Sequence, residues 1–337
     1  MALTRVKLER FTAFDSLDLE LSPGINVFIG ANGTGKTHLM KVCYAACDVS
    51  KTGASFSEKL VEVFLPSNRR LGRLVKRRGK SVRGAVEISR KDQSLRTSFS
   101  NHTKLARSAQ VTGAAKWAAS SIESVYIPVK EMLSNAPGFR SLYSQREIHF
   151  EAVYADILQR AYKPLLRGPV DQTRKRLLDM QKAVEGKVSL QNEEFFLRNR
   201  QGNLEFTLLA EGMRKLGLLW LLIQNGTLSG GSVMFWDEPE TNLNPKLFGT
   251  VMETLLELQR IGVQIFFATH DYVILKELDL RRKPADEVAF HSLYRSTDGK
   301  IECDTVDNYL DIHPNAIADA FDSLYDREVK RSIQGMR

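Results

Sequence analysis

Cysteine is scarce: Cys43, Cys47 and Cys303 are the three in 337 residues. An odd count without a Cys-x-x-Cys pair excludes a disulfide framework and a cysteine-based zinc site, and suits a reducing compartment. Long apolar runs are missing as well. The longest, around Leu216 to Ile223, falls far short of the ~20 residues that a membrane-spanning helix needs, so no membrane span is expected. The first ten residues, Met1 to Arg10, mix charged with apolar side chains where a secretory signal would need a continuous apolar stretch. The chain is therefore expected to stay in the cytoplasm. No internal repeat or low-complexity tract is visible, and 43% hydrophobic with 26% charged residues is ordinary for a folded globular chain.

Charge is present but unevenly placed. The formal net charge is +8, yet ten basic residues (Arg69, Arg70, Arg73, Lys76, Arg77, Arg78, Lys80, Arg83, Arg90 and Lys91) fall between Arg69 and Lys91 against one acid, Glu87. That segment alone carries +9 and leaves the remainder near neutral. Two readings stay open: a solvated face, or a contact for a polyanion such as a nucleic-acid backbone or an acidic protein. Seven of the ten are arginine, which suits bidentate phosphate or carboxylate contacts. No aromatic residue interrupts the run, so base stacking is not expected.

The hydrophobic pattern organises the chain. Leu17, Leu19 and Leu21 alternate with Asp18 and Glu20 as a half-buried strand, and Ser22-Pro23-Gly24 reads as the turn of a first hairpin. Ile25 to Ile29 is a short apolar strand leading into glycines, followed by a helix over Lys36 to Cys47. Residues 50–125 read as a small sheet with long loops, including a strand at Gly84 to Ile88. Ile148 to Gly186 reads as mostly helical with breaks at Pro164 and Pro169, and Val188 to Leu208 as a hairpin turning near Gln201-Gly202. A helix follows from Glu211 to Ile223. Val233 to Trp236 and Val263 to Ala268 are continuous apolar strands flanking a helix over Lys246 to Arg260, the mark of a parallel βαβ unit. Asp307 to Arg337 reads as helical.

Three motifs carry chemistry. Gly30-Ala31-Asn32-Gly33-Thr34-Gly35-Lys36-Thr37 fits the phosphate-loop pattern Gly-x-x-x-x-Gly-Lys-Ser/Thr between a strand and a helix. Its backbone N–H groups would curl around a β-phosphate, Lys36 would bridge the β- and γ-phosphates of a nucleotide, and the Thr37 hydroxyl would ligate Mg²⁺. At the end of the Val233 strand, Asp237 reaches the metal and Glu238 orients the attacking water. At the end of the next strand stands Ala268-Thr269-His270-Asp271, 32 residues beyond Glu238, where His270 can contact the γ-phosphate.

In this order, with Trp236 to Pro245 reading Trp-Asp-Glu-Pro-Glu-Thr-Asn-Leu-Asn-Pro, the motifs resemble the ATP-binding-cassette class of ATPase. The resemblance is closer to its soluble branch, which holds chromosome-maintenance (SMC), RecF and overcoming-lysogenization-defect proteins and the compact standalone ATPases of bacterial anti-phage operons. It implies an α/β P-loop NTPase fold with a mixed sheet. The core would span residues 1–50 and 205–300, with an α/β insertion at 51–204 carrying the basic patch and a helical subdomain, and a helical segment at 301–337. It further implies ATP and Mg²⁺ as ligands, with Asn32 to Thr37 binding nucleotide, Thr37 and Asp237 holding the metal, Glu238 as catalytic base and His270 as switch histidine. The class also uses a signature loop that reaches the nucleotide of a second subunit. Leu228-Ser229-Gly230-Gly231 resembles it but lies only six residues before Asp237; the better match is Ala210-Glu211-Gly212 at a helix start, with Gly212 25 residues before Asp237. Ala210 stands where that signature has a serine. Thr241 to Pro245 would speak to the second subunit, and Lys130 or Glu131 would serve in the loop linking the lobes.

The expected function is an ATP-hydrolysing subunit. Its nucleotide-gated homodimer, or higher homo-oligomer, would control a separate effector such as a nuclease, in phage defence or DNA maintenance, without a membrane. The alternatives are an energising subunit for a transporter and a non-hydrolysing scaffold. Retention of Glu238 and His270 speaks against the scaffold.

Overall fold

The structure is a computed structural model that describes residues 2–76, 81–145, 148–167, 177, 186–200 and 202–335. Its central sheet is built from β3 (Ile25–Ile29), β7 (Ser124–Ile127), β11 (Val233–Asp237), β12 (Gln264–Ala268), β13 (Val288–Arg295) and β14 (Ile301–Val306). These lie in the order β14-β13-β3-β12-β11-β7; β14 pairs antiparallel with β13 and every other neighbouring pair is parallel. The sheet is therefore mixed, as expected.

Every residue of β3, β7, β11 and β12 is buried, because both faces are covered and no polar alternation is needed. Val27, Met234, Trp236, Ile265 and Phe267 join the core beneath three helices, α6 (Glu211–Gln224), α7 (Phe248–Arg260) and α8 (Tyr272–Arg281). Phe28, Val233, Phe235 and Phe266 join the opposite core with α1 (Lys36–Thr52).

That second core is closed by an antiparallel sheet of β1 (Arg5–Phe11), β2 (Phe14–Glu20), β4 (Arg83–Arg90), β5 (Gln93–Ser100) and β6 (Gln110–Thr112), ordered β2-β1-β4-β5-β6. One expectation changes here. The turn at Ser22 to Gly24 does not close a hairpin: β2 pairs with β1, and the chain crosses at that turn into the central sheet. Residues 51–204, expected as an insertion, supply β4 to β6 to one sheet and β7 to the other, since the edges of β1 and β11 need partners for their backbone groups.

The stretch 188–208 forms a three-stranded meander, β8 (Lys187–Gln191), β9 (Glu194–Asn199) and β10 (Gly202–Glu205), where one hairpin was expected. Among the described residues, short helices in the middle of the chain are α2 (Phe56–Phe64), α3 (Ala114–Ala118), α4 (Phe139–Gln145) and α5 (Ala152–Ala161). Most of the rest of the expected helical region, 168–176 and 178–185, lies outside the described residues. The C-terminal segment contributes β14 before its helix, α9 (Ala316–Gly335).

A buried ionic cluster fixes α5 against α1. Asp48 accepts from Lys59 and Arg160, each at 2.8 Å, and Asp156 accepts from Lys59 and the Tyr44 hydroxyl, each at 2.7 Å. Each charge meets an opposite one, which is the condition for burying them. The helix that begins with Lys36 is thereby braced from behind.

Candidate functional site

The neighbouring parallel strands β3, β12 and β11 all end at one edge of the sheet, with Phe28 beside Ala268 and Ala268 beside Asp237. Loops leaving the carboxyl ends of parallel strands form the binding crevice of such sheets. Here they bring together the phosphate loop, His270, Asp237 and Glu238.

The phosphate loop turns from β3 into α1 through Gly35, which caps the helix at φ 98°. A Cβ there would stand 2.6 Å from the Phe14 ring, so only glycine allows the helix to start so close to β2. Asn32 and Gly33 are exposed at the loop's tip; Thr34 is buried and donates to Ala31 O at 2.9 Å. Lys36 Nζ donates to Gly30 O at 2.7 Å and Ala31 O at 3.1 Å. Burial lowers its pKa to about 8, against the pull of Asp237, Glu238 and Glu240.

Thr37 Oγ1 donates to Asp237 Oδ1 at 3.2 Å, and the Tyr126 hydroxyl donates to Asp237 Oδ2 at 3.2 Å. Burial raises the Asp237 pKa despite both bonds. A buried carboxylate beside a hydroxyl is the hard oxygen pair that suits Mg²⁺. Among the described residues no group of three or more His, Cys, Asp or Glu side chains converges as a metal cluster.

Glu238 follows with left-handed backbone, φ 49°, uncommon for a side chain of its size and a form of strain found at functional turns. Its Oε1 lies 4.0 Å from His270 Nε2, and its Oε2 accepts from Thr241 Oγ1 at 3.0 Å. Both the Glu238 and His270 side chains are about one-third exposed, at 35% and 34%. Burial, then the charge of Lys36, lowers the His270 pKa and favours the neutral ring, against the pull of Glu238. His270 is held through its backbone: its N–H and the Thr269 hydroxyl both donate to Glu240 Oε1, at 2.9 and 2.7 Å.

Gly212 touches the turn after Glu238 in its own chain. A Cβ there would lie 2.6 Å from Asn242 O, while Lys215 Nζ donates to Thr241 O and Asn242 Nδ2 to Glu211 Oε2, both at 2.8 Å. The first turn of α6 and the Thr241–Pro245 turn thus form one unit. Ser229 to Gly231 lies at the opposite, amino-terminal end of β11 from Asp237. Glu131 is turned inward: it accepts from Leu133 N and Ser134 Oγ and lies 3.4 Å from Arg214 Nε.

The basic run divides. Lys76 is paired with Asp15 at 2.6 Å and Ala13 O at 2.9 Å. Arg90 is 1% exposed, donates to Trp117 O and stacks over the Trp117 ring at 4.3 Å. Arg69, Arg70, Arg73, Arg83 and Lys91 are exposed, and Arg77, Arg78 and Lys80 lie outside the described residues.

Sequence reasoning missed Tyr126, Glu240 and Arg295, whose Nη2 donates to Gly33 O at 3.1 Å. Glu240 was legible as the second glutamate of Asp-Glu-Pro-Glu. Tyr126 and Arg295 reach the site only because β7 and β13 flank the central strands, and no local pattern marks them.

With this geometry in hand, the chain can be set beside known proteins. A family model described as "AAA domain, putative AbiEii toxin, Type IV TA system" matches residues 25–276. DNA replication and repair protein RecF of Acidothermus cellulolyticus is 51% identical over 47 residues, 14% of this chain and 13% of that protein; its counterpart in Klebsiella pneumoniae is 48% identical over 44 residues, 13% and 12%. The matched segment thus spans about an eighth of these relatives' length. A solved SMC head bound to the C-winged helix domain of ScpA has 12% identity and a TM-score of 0.59, covering 92% of this chain and 99% of that one. An SMC head with an extended coiled coil, bound to the C-terminal domain of ScpA from Pyrococcus furiosus, has 12% identity and a TM-score of 0.52, covering 97% and 99%. At such identity the likeness is one of fold.

Proposed function

The chain belongs to this AAA-domain family and has the fold of SMC head ATPase domains, and from that premise we propose that it binds Mg²⁺ and ATP and hydrolyses ATP. One observation carries the reading: Lys36, Thr37, Asp237, Glu238 and His270 meet at one sheet edge, with Thr37 3.2 Å from Asp237 and His270 4.0 Å from Glu238. Asn32 to Thr37 cradle the phosphates through backbone N–H groups, and Lys36 exchanges its loop carbonyls for β- and γ-phosphate oxygens. Mg²⁺ held by Thr37 and Asp237 supplies charge neutralisation at the phosphates. Glu238 orients the attacking water and takes its proton, and His270 donates from its neutral ring toward the γ-phosphate. The presence of both Glu238 and His270 at this edge favours hydrolysis over a scaffold that only binds.

The Gly212 end of α6, with its N-terminal dipole and backbone N–H groups, would meet the γ-phosphate of a second copy. ATP would thereby gate a homodimer that controls a separate effector, in DNA maintenance or phage defence. RecF names DNA replication and repair, which supports a role on DNA and is compatible with polyanion contact at the exposed arginines of the Arg69–Lys91 run.

The test is Glu238→Gln. ATP binding should persist while hydrolysis slows by roughly 100-fold or more, the usual cost of removing a general base. Phosphate release at the parental rate would move the base elsewhere.

A further inference from the structure

One buried polar side chain lies against the metal carboxylate without a part in the reaction as described. Tyr126 sits on β7 and is 1% exposed. Its ring stacks on Phe235 (centroids 6.3 Å apart, planes 17° apart) and meets Tyr44 edge-on at 5.5 Å. The β7–β11 register sets Tyr126 beside Phe235, two residues before Asp237. The ring is therefore fixed by its neighbours, and its hydroxyl is delivered to Asp237 Oδ2 at 3.2 Å while Thr37 claims Oδ1 at 3.2 Å.

A carboxylate held at one oxygen can still turn about its Cβ–Cγ bond, a soft torsion. Held at both, its plane is set. We infer that Tyr126 is the positioning residue of the metal site: its hydroxyl fixes the plane of the Asp237 carboxylate, so that Oδ1 stays beside the Thr37 hydroxyl where Mg²⁺ is taken up. This deepens the nucleotide reading above and rests on it. Partners that orient a metal-binding carboxylate typically contribute 10- to 100-fold in metal affinity, and Tyr126 comes from the middle of the chain, outside all three motifs.

The experiment uses the full chain in the Glu238→Gln background, so that no turnover intervenes, with Mn²⁺ as the probe. Calorimetry measures ATP affinity in EDTA and with Mn²⁺. Tyr126→Phe should leave the EDTA value unchanged and shrink the Mn²⁺-dependent gain roughly 10-fold. Tyr44→Phe is the packing control, since it removes a hydroxyl from the same aromatic cluster that bonds Asp156 at 2.7 Å and not Asp237; its Mn²⁺-dependent gain should equal that of the parent. An undiminished gain in Tyr126→Phe overturns the inference, and so does an equal loss in both variants. A parent that binds no ATP under either condition overturns the nucleotide reading itself, and this inference with it.

Discussion

Lys36 concentrates the residue-scale chemistry. Buried, it holds its proton less tightly than an exposed lysine and titrates near pH 8, whereas phosphate oxygens beside it would favour the charged form. Binding therefore draws a proton whenever the pH exceeds that value. ATP affinity should be level below pH 8 and fall as pH rises above it, by up to tenfold per unit, until the bound-state pKa is reached. Calorimetry at pH 7 and 9 in buffers of different ionisation enthalpy reads both the loss and the proton uptake. Lys36→Ala should abolish tight binding and, with it, the pH dependence. A pH-independent affinity in the parent would mean that Lys36 is already charged in the free chain.

Elements decide what a run of charge means. The residues from Arg69 to Lys91 look alike along the chain, yet β4 turns Arg90 inward onto Trp117 and the approach to β4 ties Lys76 to Asp15, while Arg69, Arg70 and Arg73 stay in solvent. Opposite outcomes follow for the same chemical change. Arg90→Gln empties a buried cation position and leaves the Trp117 carbonyl without its donor, at a cost of about 1–3 kcal/mol; denaturant unfolding measures it. Changing Arg69, Arg70 and Arg73 together to glutamine should stay within about 0.5 kcal/mol of the parent, while weakening DNA binding and flattening its salt dependence. If the parent shows no salt-dependent binding to DNA, RNA or an acidic protein, the exposed arginines are a solvated face.

At the scale of the whole molecule, each chain carries a phosphate loop and a Gly212 helix start, and the latter is already seated on its own Thr241–Pro245 turn. In the proposed function, a second copy in an isologous pair would bring each chain's phosphate loop to the other's α6 start. The Glu238→Gln protein should be a dimer at saturating ATP and shift toward monomer on nucleotide removal, as read by light scattering. A monomer at saturating ATP would count against the dimer. Gly212→Val, which forces a side chain against Asn242 O, should lower the dimer fraction while sparing ATP binding, because residues 30–37 are untouched.

Sequence alone determined what depends on a few neighbouring residues. The glycines and lysine of Gly30 to Thr37, the apolar strands ending at Asp237 and Ala268, and the helices at Lys36, Glu211 and Phe248 are short-range signals, since backbone freedom and helix or strand periodicity are local properties. Tertiary structure decided what depends on which strands lie side by side. β3 and β12, more than 200 residues apart along the chain, pair in register and bring Lys36 to His270. β7 sets Tyr126 behind Asp237, β2 pairs with β1 instead of β3, and β4 separates the buried arginine from the exposed ones. Such choices come from burying two faces of one sheet and pairing every strand edge at once, a condition on the folded whole that no window of sequence contains.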